Sequence, residues 1–223
     1  MRNILARLGA ATAAPLVQAS IAAALPAAYF CYVFQVFRGV PFSAGLGDWI
    51  DPYLINVLLE HWHHALWHLG NPATAPMYFP ASGTLGYSVG LILYAPFYLL
   101  VRPVLHPFQA YTLTLFLVME LGSLCLYQIF RRFLRLGFVE ALLLCAFFFT
   151  SANVINGHSN AWAQTLSVFL IPPILLLTLA SFRMAPGRRR RVMTTVAGLL
   201  ITLLFTQDFY TGIFALLLSA LVA

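Results

Sequence analysis

VGLILYAPFYLLVRPVL, Val89 to Leu105, is apolar enough to pass for a membrane span, and whether it crosses sets the path of the whole chain. Pro96 and Pro103 interrupt it, Arg102 sits inside it, and it is short for a hydrocarbon core of about 30 Å. The arginines decide. All 12 basic residues are Arg. If the segment does not cross, Arg2, Arg7, Arg131, Arg132, Arg135, Arg183 and Arg188 to Arg191 share one side, leaving only Arg38 and Arg102 opposite. That imbalance is what retention of positive charge on the cytoplasmic side produces. If it crosses, Arg131, Arg132, Arg135, Arg183 and the Arg188 run move outside together. Val89 to Leu105 is therefore read as a juxtamembrane or re-entrant helix on the outer face, where surrounding protein covers its broken backbone.

Composition points to the same solvent. Of 223 residues, 61% are hydrophobic and 8% charged, whereas soluble domains carry about 25% charged residues. Runs long and apolar enough to span, or to begin spanning, lie at Pro15 to Phe37, Gln109 to Phe130, Phe138 to Ile155, Trp162 to Phe182, Val192 to Thr206, and from Phe209 onward. The expected fold is an all-α integral membrane bundle of about six transmembrane helices, with a long outer loop over 38–108 carrying juxtamembrane helices. The net charge of +6 comes from arginines set between apolar runs, so it reads as topology and excludes a nucleic-acid surface. Cys31, Cys125 and Cys145 fall inside apolar stretches and read as small core residues. The basic, small-residue start runs into an apolar stretch long enough to span, so an uncleaved signal anchor with a cytoplasmic N-terminus is expected. The chain closes on ALLLSALVA inside an apolar run, and 1–223 is expected to be the N-terminal transmembrane portion of a longer polypeptide.

On this path every His (His61, His63, His64, His68, His106, His158) and every Asp (Asp48, Asp51, Asp208) falls on the outer face. GDWIDP, Gly47 to Pro52, places two carboxylates three residues apart where the chain leaves the first span. Asp48 and Asp51 suit a general base and its partner, or oxygen ligands to a cation; Asp51 before Pro52 also suits a helix cap. From Tyr53 to Leu69 the pattern is amphipathic. Ile55, Leu58, Leu59, Trp62, Leu66 and Leu69 share one helical face, and His61, His64 and His68 lie opposite. That helix is expected in the interface plane, with Trp62 and Trp67 as anchors. Its histidines, beside Glu60, suit either a metal site or a water-facing polar stripe, and the stripe is preferred. NVINGHSNAWAQ, around His158, and Gln207, Asp208 and Tyr210 offer amides, an imidazole and a carboxylate at the outer ends of later spans. Glu120, in mid-span, reads as a protonated or hydrogen-bonded group holding helices together. Glu140 is expected to pair with Arg131 to Arg135, and Pro172-Pro173 to kink the fourth span.

The order of these parts resembles the GT-C superfamily of membrane glycosyltransferases, particularly its bacterial YfhO-like branch. The resemblance covers nearly the whole chain and rests on GDWIDP, MYFPASGTLGYS, LYAPFYLL, LYQIFRRFLRLG, INGH and QDFYTG. It implies an enzyme of the bacterial inner membrane that transfers a sugar from a polyprenyl-phosphate donor to a glycan or lipid acceptor hydroxyl on the periplasmic face. Asp48 would be the base, with Asp51 beside it. Arg102, His158, Asp208 and Tyr210 are the candidate donor or acceptor contacts. No metal site is assigned; a divalent cation is compatible with the carboxylates but not required. The rival is a transporter or lipid flippase without chemistry of its own.

Overall fold

The computed structural model describes residues 15–33, 51–71, 73–75, 90–151, 154–155 and 163–222. Among them the chain is helix and turn, without strand. The helices are α1 (Pro15–Val33), α2 (Asp51–Trp67), α3 (Ala95–Val101), α4 (Pro107–Arg132), α5 (Phe138–Phe149), α6 (Ala163–Phe182), α7 (Arg188–Gln207) and α8 (Phe209–Leu221).

α4 is the axis of the molecule and packs against α1, α2, α3, α5 and α6; α6 in turn holds α7 and α8. Its limits follow from local chemistry. Pro107 stands at the first position, where a missing N–H costs nothing. The His106 N–H donates to Gln109 Oε1 at 3.2 Å. At the other end Arg131 and Arg132 suit the negative pole of the helix, and Arg131 Nη1 donates to the Leu136 carbonyl at 2.7 Å. Gly122 lets α6 come close: a Cβ there would lie 2.8 Å from Phe169 Cβ and collide with the Phe169 carbonyl.

That carbonyl marks where the fourth span departs from uniform α winding. Pro172 and Pro173 stand at that change within Ala163–Phe182. They occupy the first turn of an α segment, Ile171–Phe182, and the preceding Ser167–Leu170 is wound as a 3-10 turn. Pro173 has no N–H to give Phe169, so the turn tightens, the Ile171 N–H bonds to Val168, and the Phe169 carbonyl rests against Gly122.

Two helices, α4 and α6, are long and apolar enough to cross a membrane. The apolar stretch Val17–Tyr32 of α1, and α5 and α8, are shorter. α7 has 20 residues but opens on four arginines. α3 has seven residues, a rise of about 10 Å, far less than a hydrocarbon core of about 30 Å.

Charge is segregated along the bundle. Arg183 Nη1 donates to the Arg132 carbonyl at 3.0 Å and its guanidinium lies over the Phe133 ring; Arg131 Nη2 reaches Gln18 Oε1 on α1; Arg190 sits over Phe182. The C-termini of α4 and α6 and the N-termini of α1, α5 and α7 therefore share one arginine-rich end. α2, α3, the start of α4 and the α7–α8 junction lie toward the other.

Three expectations are corrected. Ile55, Leu58, Leu59 and Trp62 share a buried face, but Leu66 and Leu69, expected on the same face, are exposed, Leu69 at 92%, and Ala65 is buried instead. The last turn of α2 runs past the elements that cover its middle, and Leu69 turns the chain with φ 51°. Trp62 is no surface anchor: it is buried and its indole N–H donates to the Gly90 carbonyl at 2.6 Å, whereas Trp67 is exposed. Glu140 forms no ion pair with Arg131, Arg132 or Arg135 among the described residues. Its carboxylate folds back over Gly137 at the positive end of its own helix.

Candidate functional site

Where α2 meets α3, two pairs of polar residues face each other. Asn56 and Glu60 are one turn apart on α2; Tyr98 and Arg102 are one turn apart at α3. Arg102 grips the Glu60 carboxylate with two nitrogens, Nε to Oε1 and Nη2 to Oε2 (3.2 Å), while Nη1 donates to the Leu105 carbonyl at 3.1 Å. The Tyr98 hydroxyl donates to Glu60 Oε1 and lies 3.2 Å from Asn56 Oδ1. Planar guanidinium and carboxylate fit edge to edge, which gives direction as well as strength. Burial alone would raise the Glu60 carboxyl, but the bonds from Arg102 and Tyr98 and the Arg102 charge outweigh it and hold the group below the ordinary glutamate range. Burial, then the neighbouring carboxylate, push the Tyr98 phenol far above its ordinary range. The bond to Glu60 raises Arg102 further. Glu60 is therefore an ionised clamp, too acidic to take a proton near neutral pH.

A separate, buried network lies just before α3. Residues 90–94, just before α3, are tied on three sides. The Gly90 N–H donates to the Thr206 carbonyl (3.4 Å) and its own carbonyl accepts from Trp62. The Leu93 N–H donates to Gln207 Oε1 at 2.9 Å, and Gln207 Nε2 donates to Ser167 Oγ at 2.8 Å. The Tyr94 hydroxyl donates to the Ala163 carbonyl at 2.8 Å. Tyr94, Ser167 and Gln207 are all but fully buried. α2, α3, α6 and α7 are thus bound together at the end opposite the arginines.

Of the residues singled out in the sequence, Asp48 and His158 lie outside the described residues. α2 begins at Asp51, with Pro52 as its second residue, and the Asp51 side chain, with the capping role expected of it, lies outside the described residues. Arg102 is held by Glu60. Asp208 forms the α7–α8 junction, where its Oδ2 accepts from the Thr211 hydroxyl and its carbonyl from the Gly212 N–H at 2.9 Å. Tyr210, one residue before Thr211, is 75% exposed. The structure brings Asp208, Tyr210 and Thr211 together, and no hydrogen bond or ion pair joins them to Arg102.

Beside that junction lies a cleft of about 240 Å³. Phe148, Val168, Ile171 and Phe214 supply an apolar body, and Ser151, Thr165, Tyr210 and Thr211 a polar rim. It sits on α6 between α5 and α8. Such a pocket suits an apolar chain with an oxygen-bearing head.

His64 and His68 stack with ring centroids 4.3 Å apart, and His68 Nδ1 lies 3.1 Å from the His64 carbonyl. Burial lowers His63 from its ordinary range, and Glu60 pulls it the other way. Among the described residues no three His, Cys, Asp or Glu side chains converge to hold a metal ion.

Sequence reasoning set Glu60 beside the histidines and missed its role, along with those of Asn56, Tyr98 and Gln207. One signal was available. Between Arg38 and the start of α4, Arg102 is the only cation and Glu60 the only acid beyond GDWIDP, so mutual pairing was the economical arrangement for two costly charges.

Comparison with protein families, with characterised proteins and with solved structures finds no match to this chain.

Proposed function

We propose that this chain is a polytopic protein of a bacterial inner membrane, crossing it about six times, with its N-terminus and its arginine end in the cytoplasm. Within that class we read it as a GT-C-type glycosyltransferase unit. It moves a sugar from a polyprenyl-phosphate donor to an acceptor hydroxyl on the periplasmic face. The observation that carries this reading is the polarity of the bundle. The arginines gather at one end, while α2, α3 and the Asp208 junction, with an apolar side cleft beside it, lie toward the other. A donor whose lipid stays in the bilayer would approach such a cleft sideways and present its phosphate at the rim, near Tyr210 and Thr211.

Asp48, in the segment leading into α2, is the proposed base, removing the acceptor proton as its oxygen attacks the anomeric carbon and the lipid phosphate departs. The Glu60–Arg102 clamp and the tie from Trp62 to Gly90 fix the helix that follows it, and a base must be held within about 0.5 Å of its working position. Arg102 retains N–H groups beyond those spent on Glu60 and the Leu105 carbonyl and can approach a phosphate from that side. His158 is a further proposed donor or acceptor contact.

The test is transfer of a radiolabelled sugar from polyprenyl-phosphate donors by the membrane-embedded protein. Asp48→Asn should leave expression and thermal stability unchanged and lower transfer about 10² to 10⁴-fold, as loss of a general base does. Transfer by Asp48→Asn at the wild-type rate removes Asp48 from the mechanism. One observation favours transport instead: Glu120 Oε2, within α4, is buried without a hydrogen-bond partner among the described residues, as a group that takes up and releases a proton would be. Proton-coupled uptake lost in Glu120→Gln, with no transfer activity in wild type, would select that reading.

A further inference from the structure

The last turn of α2 carries a pair of side chains that neither the clamp nor the cleft uses. His64 and His68 stand one turn apart on the same helical face, and both are exposed. Their rings stack with centroids 4.3 Å apart and planes at 20°. The His64 carbonyl accepts the His68 backbone N–H at 3.0 Å and lies 3.1 Å from His68 Nδ1. A carbonyl can only accept, so Nδ1 carries the ring proton of His68 and Nε2 keeps its lone pair. This is the setting in which histidines bind metals: one ring nitrogen donates to a backbone carbonyl, which fixes tautomer and orientation, and the other stays bare.

The other ionisable groups of this stretch are turned to different neighbours. Glu60 is held by Arg102 and Tyr98. The His61 ring lies beside Trp62 and the His63 ring beside Trp67, each at 6.2 Å between centroids. The three-histidine site that the spacing of His61, His64 and His68 allows is therefore reduced to a pair. Two imidazoles on adjacent turns form a bidentate chelate for a divalent metal that favours nitrogen, and not for Mg²⁺ or Ca²⁺, which take oxygen. At a tetrahedral zinc, with bonds of about 2.0 to 2.1 Å, the two nitrogens stand about 3.3 Å apart. Rings stacked at 4.3 Å reach that separation by tilting their edges together, without a change of backbone. A stripe kept for solvation alone would need neither the stack nor the fixed tautomer. We propose that His64 and His68 form a two-ligand site for Zn²⁺ or Cu²⁺, with water completing the coordination and the metal pinning the last turn of α2 before the chain bends at Leu69. The site rests on neither the membrane reading nor the enzymatic one.

The experiment uses the full chain, purified in neutral-detergent micelles through a tag without histidine and stripped with a chelator. Zinc chloride, copper(II) chloride and magnesium chloride are titrated in turn by calorimetry. One Zn²⁺ per chain should bind saturably, and Mg²⁺ should not bind. H64Q and H68Q should each weaken zinc binding by more than the roughly 10- to 100-fold that loss of an outer-shell partner costs, whereas H61Q and H63Q should stay within about twofold of wild type. Copper(II) at the site should show two nitrogen ligands in the hyperfine structure of its electron paramagnetic resonance spectrum. Because the metal binds the folded chain, zinc should raise the melting temperature of wild type and leave that of H64Q/H68Q unchanged, while the two melt alike without metal. Absence of saturable zinc binding, equal loss in H61Q or H63Q, or zinc binding retained in H64Q/H68Q would each overturn the proposal.

Discussion

Glu60 shows how one side chain can order a region. Its carboxylate has α2 behind it and Tyr98 and Arg102 in front, with the Glu60 and Arg102 side chains 34% and 25% exposed. The pair is neither fully screened, where it would contribute about 0 to 1 kcal/mol, nor dry, where breaking it costs about 3 to 5. Glu60→Ala should therefore lose roughly 1 to 3 kcal/mol, measured by thermal unfolding in micelles, and Glu60→Gln less, since an amide oxygen still accepts from Tyr98. The sign of the pH effect follows from the depressed carboxyl. Its contribution is present above the ordinary glutamate value of about 4.3 and is lost as pH falls through the lower folded value. The melting temperature of wild type should drop across that window, and Glu60→Gln should lack that part of the drop. Trp62→Phe keeps the buried ring and removes the N–H that satisfies Gly90; a cost of about 1 to 3 kcal/mol is expected. A cost near zero in that melt would show the Gly90 carbonyl to be satisfied otherwise.

Helices here approach one another at glycines. Gly122 admits the Phe169 backbone, and Gly212 of α8 sits where a Cβ would come within 2.8 Å of Phe205 Cα and Cγ on α7. A Cβ at Gly198 of α7 would meet nothing within 4 Å. Gly122→Ala and Gly212→Ala should each destabilise by about 1 to 3 kcal/mol through overpacking. Gly198→Ala should gain up to about 1 kcal/mol from helix propensity alone, and the same melts check all three. At this scale much was legible. The span expected from Gln109 to Phe130 lies within α4, which runs two residues further at each end, Pro107–Arg132, and the apolar face of α2 was readable as far as Trp62. Leu66 and Leu69 misled because helical periodicity says which residues share a face, not how far a neighbour extends to cover it. The 3-10 turn before Pro172 was hidden for a related reason: proline marks lost hydrogen bonds, but the packing partner, Gly122, decides how the chain absorbs them. The clamp between Glu60 and Arg102 spans 42 residues and depends on α3 lying beside α2, which no local pattern encodes.

For the whole molecule the decisive property is that charge is sorted by end. Ten arginines on one side of the path was an inference from counting; the structure places the eight that it describes, from Arg131 to Arg191, around the termini of α4, α5, α6 and α7. α3 is too short to carry the chain across a bilayer, so the proposed path needs residues 38–108 on one side. The proposed function depends on this sidedness, because a lipid-borne donor, a periplasmic acceptor and a base at Asp48 would have to meet on one face. The most direct test is a set of reporter fusions in a bacterial inner membrane, read by enzymes active only in the cytoplasm or only in the periplasm. Fusions after Arg135 and after Arg191 should both report the cytoplasm, and fusions after Arg102 and after His158 both the periplasm. A periplasmic signal from the Arg135 fusion would mean that Val89 to Leu105 crosses, would scatter the outer-face residues across both sides, and would contradict the account.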